Sequence, residues 1–322
     1  MNRRDSIAAL LALAAEPVAV VAGRMYRVGL LASTLGPSSN VRAIKDKLRQ
    51  LGWMEGQNFT LDARYTGPDR ERITAAAKEL VDLRVDVIVT TGGAETAQAA
   101  LNATKTIPIV FAFADDPVRL GIVRNLAHPE ANITGLTSMN AELDAKRLGL
   151  LKEILPKLRR VGVVWSPVDP SGSAVMAGAE SAARTLGIQL EPLPSPRVED
   201  LRTAFAAAKT AMVEAVMILA TPILFGQDQV ISDLAMGVRL PTISAWRQLP
   251  EAGGLLSYGP NLQEMFRRAA VVVDRILKGA KPSGIPVERP RNFDLVINLK
   301  TAKALGIKIP QSILIRASSV LQ

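Results

Sequence analysis

Apolar runs and amphipathic stretches alternate along most of the chain. Stretches suited to β-strands lie at 26–31, 59–65, 85–89, 107–113, 133–136, 161–165, 188–193, 216–220, 242–245, 255–258 and 293–299. Most are separated by ten or more residues whose apolar positions recur every three or four residues, which is typical of an amphipathic helix. Because a strand that returns through a helix runs parallel to its predecessor, this pattern predicts parallel sheets with helices on both faces.

The alternation restarts at a long helix predicted at 142–155, which Pro156 ends. A chain of 322 residues, 48% of them hydrophobic, is long for one domain and has enough apolar side chains for two cores. We therefore predict an α/β fold with two Rossmann-like, doubly wound parallel-sheet lobes. The tail, with a helix predicted at 262–277, is expected to pass back to the first lobe and then return. Three crossings would make a hinge.

A glycine corner joins the strand at 85–89 to a helix predicted from Ala94 onward. Gly92 and Gly93 let the backbone turn tightly there. The first N–H groups of the following helix have no partner inside it and point beyond the carboxyl end of the strand, where a carboxylate or phosphate would be stabilised. An ordinary strand-to-helix turn, using glycine for its geometry alone, is the alternative interpretation.

The composition excludes several classes of site. The chain has no cysteine and one histidine, His128, so zinc fingers, thiol catalysis and disulfide scaffolds are not expected. We expect no cofactor and no metal. The net charge of +9 and pI near 10.0 suggest nucleic acid as a partner, but the basic residues are scattered and only 4% of residues are aromatic. A solvated basic surface is the simpler explanation, and we expect no nucleic-acid partner.

The first 23 residues resemble a secretory signal peptide. Arg3 and Arg4 precede a short apolar run at 7–15, and Ala22 offers a small-residue cleavage site. The run is too short to span a bilayer, which takes roughly 20 apolar residues. The alternative is a frayed N-terminal helix. With no cysteine for lipid attachment, an exported product is expected to be a soluble periplasmic protein without a lipid anchor.

Several segments in the second half carry a resemblance to a known family. They are Ala252-Gly-Gly-Leu-Leu-Ser-Tyr-Gly259, Arg275-Ile-Leu-Lys-Gly-Ala-Lys-Pro282 and the run 293–310. Together with the segments 85–94, 111–121 and 132–135, they resemble the ABC-transporter solute-binding proteins of the family that has tryptophan- and aromatic-amino-acid-binding members. The similarity extends over nearly everything after Tyr26 and keeps the order of the segments. It is not specific for the ligand.

The resemblance implies a type I periplasmic binding fold, in which two lobes close on a small solute. It places the first lobe at 24–136 plus 259–285 and the second at 137–258 plus 286–322. It also implies a monomer that captures an amino acid or an aromatic or hydrophobic carboxylate, rather than an enzyme. The partner would be the membrane permease of an ABC importer.

If the cleft lies between the facing carboxyl ends of the strands, ten residues are candidates for binding the solute. They are Ser33, Thr34, Gly92, Gly93, Ala94 and Asp116 in the first lobe, and Ser166, Thr221, Trp246 and Tyr258 in the second. An amino-acid carboxylate would accept from the N–H groups of Gly93 and Ala94, and Asp116 would pair with the ammonium group.

Each candidate also has a purely structural interpretation. Asp116 precedes Pro117 and is suited to capping a helix, which we predict from there to about Ala127. Trp246 and Tyr258 could pack between elements without touching a ligand. What favours the functional interpretation is that all ten residues would converge on one cleft.

Two other functions compete with solute binding. A Rossmann-type enzyme acting on a phosphorylated or nucleotide substrate could use the same glycine corner, but Thr-Thr-Gly-Gly-Ala-Glu lacks the G-x-G-x-x-G spacing. The chain also has no P-loop and no G-x-S-x-G nucleophile elbow. A DNA-binding regulator would need a helix-turn-helix before the first strand, and the residues ahead of Tyr26 are too few and too apolar for one.

Overall fold

The structure is a computed structural model that describes residues 24–129, 131–169 and 172–322, apart from the side chains of Ala141, Ala174 and Pro222. The proposed signal peptide lies outside these residues. The fold is α/β, with two mostly parallel sheets and alternating helices, as the sequence predicts. Across the described part of the chain, none of the helices is long and apolar enough to cross a membrane.

The first lobe is built on a five-stranded parallel sheet. Its elements are β1 (Tyr26–Ala32), α1 (Ser39–Gln50), β2 (Phe59–Tyr65), α2 (Arg70–Asp82), β3 (Val87–Thr90), α3 (Gly93–Ala103), β4 (Ile109–Ala114) and β5 (Ile133–Thr137). The strand order is β2-β1-β3-β4-β5. All four residues of β3 are buried, which explains its β-branched sequence, because a central parallel strand is covered on both faces.

The second lobe is built on a seven-stranded sheet. Its first elements are α4 (Asn140–Ile154), β6 (Arg160–Trp165), α5 (Gly172–Leu186), β7 (Gln189–Pro194), α6 (Asp200–Thr210), β8 (Ala215–Ile218), α7 (Asp228–Gly237), β9 (Thr242–Ser244), α8 (Gln248–Glu251) and β10 (Leu256–Pro260). The chain then continues through α9 (Leu262–Leu277), β11 (Phe293–Asn298), α10 (Leu299–Leu305), α11 (Gln311–Arg316) and β12 (Ser319–Leu321). The order is β12-β11-β10-β9-β8-β6-β7, with β11 antiparallel to β10.

Helix α9 follows β10 of the second sheet, yet it packs on the first. Phe266 and Val273 of α9 share one hydrophobic core with Val28 of β1 and Ile44 of α1. Asn261 begins the helix, because its side chain accepts a hydrogen bond from the N–H of Glu264 at 2.9 Å. The core of the first lobe is therefore completed by a segment from the last quarter of the chain.

The chain passes between the two sheets three times, and hydrogen bonds tie the crossovers to one another. They lie between β5 and α4, between β10 and α9, and between α9 and β11. The N–H of Thr137 in the first crossover donates to the carbonyl of Glu288 in the third at 2.9 Å. The N–H of Asn261 in the second donates to the carbonyl of Asn292 at 3.1 Å. We call this region the hinge.

The prediction of a helix from Asp116 to about Ala127 is wrong. Residues 117–127 form turns and bends instead, and Gly121 adopts a positive φ of 69°. A long-range contact stabilises this stretch, because the N–H of Val287 donates to the carbonyl of Leu126 at 2.7 Å.

Candidate functional site

The corner between β3 and α3 brings Ser33 against Gly92. A Cβ on Gly92 would lie only 2.6 Å from the Ser33 hydroxyl oxygen and 2.4 Å from a methyl group of Thr96, so glycine is required there. The N–H of Gly92 donates to the Thr96 hydroxyl at 3.0 Å, and Gly93 adopts a φ of 72°. The corner is therefore a rigid turn that sets the first N–H groups of α3 at the carboxyl edge of the first sheet.

Four buried hydroxyls lie at or just beyond the carboxyl ends of strands. They belong to Thr90 and Thr91 on the first sheet, and to Ser166 and Thr221 on the second. Within the residues that the structure describes, these four hydroxyls have no hydrogen-bond partner. A buried hydroxyl that lacks a partner costs about 1–3 kcal/mol of folding free energy. Their grouping at strand ends in both lobes is the pattern that a polar ligand between the lobes would explain.

Aromatic rings meet between the two lobes. Phe113 at the end of β4 lies 6.4 Å, centroid to centroid, from Phe225 of the second lobe. Phe225 lies 4.6 Å from Trp246, and Phe113 lies 5.9 Å from Phe266 of α9. A Cβ on Gly93 would be 3.7 Å from the Phe113 ring, so this aromatic cluster borders the glycine corner. Sequence reasoning did not select Phe113 or Phe225.

Trp246 has its polar group already bonded. Its indole N–H donates to the Asp228 carboxylate at 2.5 Å, and the side chain is buried. Burial raises the pKa of the Asp228 carboxyl, and the hydrogen bond from Trp246 opposes that rise. In this arrangement Trp246 offers a ligand its ring rather than its N–H group.

Asp116 is exposed and already has partners. Its side chain is 43% exposed, accepts from the N–H of Arg119 at 3.1 Å and lies 3.3 Å from the guanidinium of the same residue. It therefore caps a turn, and it would have to exchange Arg119 for an ammonium group in order to hold one.

The remaining candidates differ in their surroundings. The hydroxyl of Thr34 is exposed and donates to the carbonyl of Gly36 at 2.8 Å. Ala94 lies in the first turn of α3, half-buried beside Gly93. Tyr258 is buried and stacks on Phe293 with centroids 6.1 Å apart, under the ammonium group of Lys146.

Asp115, which sequence reasoning did not select, connects the end of β4 with the hinge. Its carboxylate accepts from the backbone N–H of Asn140 at 2.5 Å and from the Ser138 hydroxyl at 3.4 Å. The hydroxyl of Thr137 donates to its carbonyl at 2.6 Å. The segment that carries Phe113 is thus bonded directly to the first crossover. In the described ranges, no cluster of His, Cys, Asp or Glu is suited to a metal ion.

Residues 31–321 match the family model of ABC transporter substrate binding proteins. The chain belongs to this family. Among solved structures, it is similar to a conserved domain protein from Vibrio cholerae, with 28% identity, a TM-score of 0.86, and coverage of 92% of this chain and 99% of the other. These findings confirm the family that the sequence segments suggested, and the neighbours confirm the type I periplasmic binding fold.

The names of two further relatives mention amino acids. A tyrosine-binding protein of Clostridioides difficile is 24% identical over 268 residues, which are 83% of this chain and 75% of the relative. The ABC domain from Streptococcus pneumonia in complex with L-Trp is 24% identical, with a TM-score of 0.86 and coverage of 92% and 99%. One of these relatives is thus named for binding tyrosine, and the other was solved in complex with L-Trp.

Proposed function

We propose that this substrate-binding protein captures an amino acid, or an aromatic or hydrophobic carboxylate, between its lobes and delivers it to an ABC importer. The observation that carries the proposal is the set of four hydroxyls at strand ends of both sheets that lack a partner among the described residues. A ligand that supplies partners from both sides stabilises the closed arrangement of the lobes, because it makes all of its contacts only when they are closed. The names of the tyrosine- and L-Trp-binding relatives support the solute class.

In this proposal the glycine corner binds the carboxylate. The first N–H groups of α3, at Gly93 and Ala94, lie at the positive end of the helix dipole, where an anion is favoured. Asp116 exchanges Arg119 for the ammonium group of the solute. The rings of Phe113 and Phe225 supply an apolar surface next to the corner. The proposed contacts comprise these residues together with Ser33, Thr34, Gly92, Ser166, Thr221, Trp246 and Tyr258.

The same proposal includes the export of the protein, its oligomeric state and its division into lobes. We infer that residues 1–23 are removed on export and that the product is a soluble periplasmic monomer without a lipid anchor. Its lobes comprise 24–136 plus 259–285 and 137–258 plus 286–322. The packing of α9 on the first sheet and the place of β11 in the second support this division.

The test is a thermal-shift screen of the purified protein against the twenty amino acids, aromatic acids and sugars. A solute that binds only the folded state stabilises it by RT ln(1 + L/Kd), where L is the free ligand concentration, so the melting temperature rises with the logarithm of that concentration once it exceeds Kd. We expect a rise with at least one aromatic or hydrophobic amino acid, followed by titration calorimetry. A response to sugars alone would contradict the proposed solute class.

Asp116→Asn tests the ammonium site. Asparagine caps a turn about as well as aspartate, so the melting temperature of the ligand-free protein should stay nearly unchanged. Loss of the ammonium partner should weaken amino-acid binding by ~2–5 kcal/mol, or roughly thirty-fold and more. Calorimetry on both proteins measures the difference. An affinity within about three-fold of the parent would mean that Asp116 only caps its turn.

A further inference from the structure

Arg147 of α4 is a buried arginine whose hydrogen bonds join the end of the first crossover to the strand that leads into the second. Its side chain is 1% exposed, and its Nε donates to the carbonyl of Tyr258 at 2.7 Å. Its terminal nitrogens donate to the carbonyl of Asn140 at 3.2 Å, to the side-chain oxygen of Asn140 at 2.9 Å and to Asp144 at 2.5 Å. Asn140 ends the first crossover, and Tyr258 lies in the strand that leads into the second.

The same network reaches the cleft through Asn140. While the side chain and carbonyl of Asn140 accept from Arg147, its backbone N–H donates to Asp115 at the end of β4. Asp115 is two residues from Phe113, whose ring meets the second lobe at Phe225. A continuous line of hydrogen bonds therefore runs from Tyr258 in β10, through Arg147 and Asn140, to Asp115 near the segment where the two lobes touch.

We propose that Arg147 is a positioning residue that holds two crossovers in the arrangement that the closed lobes require, and so sets how readily the lobes separate. This inference rests on the proposed function, because closure matters only if a solute is captured between the lobes. Lysine cannot replace arginine here, since an ammonium group lacks the rigid fork of donors that reaches Tyr258, Asn140 and Asp144 together.

A purely structural role for Arg147 makes a different prediction. If the arginine only fills the interior beside α4, its replacement lowers the stability of the fold but leaves the separation of the lobes unchanged. If it positions the crossovers, the ligand-free protein samples more open arrangements while it is still folded. The distance between the lobes therefore separates the two roles.

The absence of cysteine makes this distance directly measurable. Leu35, which follows β1, is 83% exposed, and Val168, which follows β6, is 67% exposed, so they lie on different lobes near the carboxyl edges of the sheets. Leu35→Cys and Val168→Cys provide two sites for nitroxide labels. Pulsed electron spin resonance on the ligand-free, doubly labelled protein then gives the distribution of lobe separations.

Arg27→Lys is the control for Arg147→Lys. Arg27, whose side chain is 40% exposed, also bonds to a carboxylate and a carbonyl, Asp62 at 3.2 Å and Leu83 at 3.0 Å, but neither partner adjoins a crossover. We expect Arg147→Lys to lengthen and broaden the distance distribution and Arg27→Lys to leave it as in the parent. A parental distribution in folded Arg147→Lys would overturn the inference. If Arg147→Lys does not fold, Asn140→Ala, which removes one acceptor, replaces it with the same expected result.

A calorimetric titration with L-tryptophan and L-tyrosine adds a second readout. When a closed-competent state is less populated, the apparent Kd rises in inverse proportion to its population. For whichever of the two amino acids the parent binds, we expect the affinity of Arg147→Lys to be about ten-fold weaker than that of the parent. The affinity of Arg27→Lys should stay within about three-fold of the parent. Equal affinities for all three proteins would count against Arg147. If the parent binds neither amino acid, that outcome removes aromatic amino acids from the proposed function, and the lobe distances alone decide the role of Arg147.

Discussion

The hinge and the cleft both contain buried polar groups, but they differ in how those groups are bonded. Beside the hinge, Arg147 donates four hydrogen bonds, and Asn140 is bonded through its N–H, its carbonyl and its side chain. At the strand ends proposed to face a solute, hydroxyls such as that of Thr221 have no partner within the described residues. Since an unpaired buried group destabilises the fold, the proposed function would give these hydroxyls partners that the apo fold lacks, whereas the groups beside the hinge are already bonded.

The largest expected effect is the loss of the Arg147 guanidinium. Arg147→Met leaves the Asp144 carboxylate buried without its cation, so we expect the free energy of unfolding to fall by about 3–5 kcal/mol. Urea unfolding at neutral pH measures this. The double change Arg147→Met with Asp144→Leu should recover most of the loss, because replacing a whole buried pair by apolar groups is often nearly neutral. A single-variant loss below ~1 kcal/mol would mean that the pair is not buried as described.

The next effect is a pH dependence that originates at Asp144. Burial raises the pKa of its carboxyl from 3.8 to about 6, Arg147 opposes the rise, and the charge of Asp115 adds to it. Because the folded-state pKa is raised, the favourable contribution is complete below about pH 4 and is lost as the pH rises through about 6.

Between pH 4 and 7 the parent should therefore lose up to about 3 kcal/mol more stability than Asp144→Asn, which does not titrate. Chemical unfolding of both proteins across this range gives the comparison. Parallel stability curves would show that Asp144 titrates at its ordinary pKa.

The smallest expected effect is a change in stability whose sign differs between a buried hydroxyl without a partner and one that is hydrogen-bonded. Thr221→Val removes a hydroxyl without a partner, so the ligand-free protein should gain about 1 kcal/mol of stability. Thr134→Val removes a buried hydroxyl that donates to the carbonyl of Ile285 at 2.7 Å, so it should lose about 1 kcal/mol. Urea unfolding measures both changes, and calorimetry should show weaker solute binding for Thr221→Val alone. A loss of stability in both variants would imply that Thr221 is satisfied in solution.

Much of the fold can be predicted from the sequence because its strands are central and parallel. The run at 85–89 contains most of β3, and the predicted helix at 262–277 coincides with α9, which Asn261 caps. The short elements near the end, α11 and β12, were not predicted. A three-residue strand has little pattern of its own, and β12 exists because it pairs with β11.

The site was less predictable, because its decisive contacts join residues that are distant in sequence. Phe113 meets Phe225 only after both lobes have folded. Asp144 and Arg147, three residues apart on a helix, have the spacing of an ordinary exposed ion pair, and the pattern of α4 did not reveal that both are buried. The glycine corner was recognisable since its constraint is local, in Gly92 and Gly93.

The position of α9 has a consequence for how the chain folds as it is synthesised. Domains generally fold from the N-terminus as they leave the ribosome, but one face of the first sheet lacks its covering helix until residues 262–277 have been made. During most of translation that face, with Val28 and Val89, presents an apolar surface that the second lobe, synthesised in between, does not cover. A nascent chain of this design therefore keeps that apolar surface uncovered for longer than one whose domains are continuous in sequence, and a truncation before Leu262 should leave the first lobe prone to aggregation.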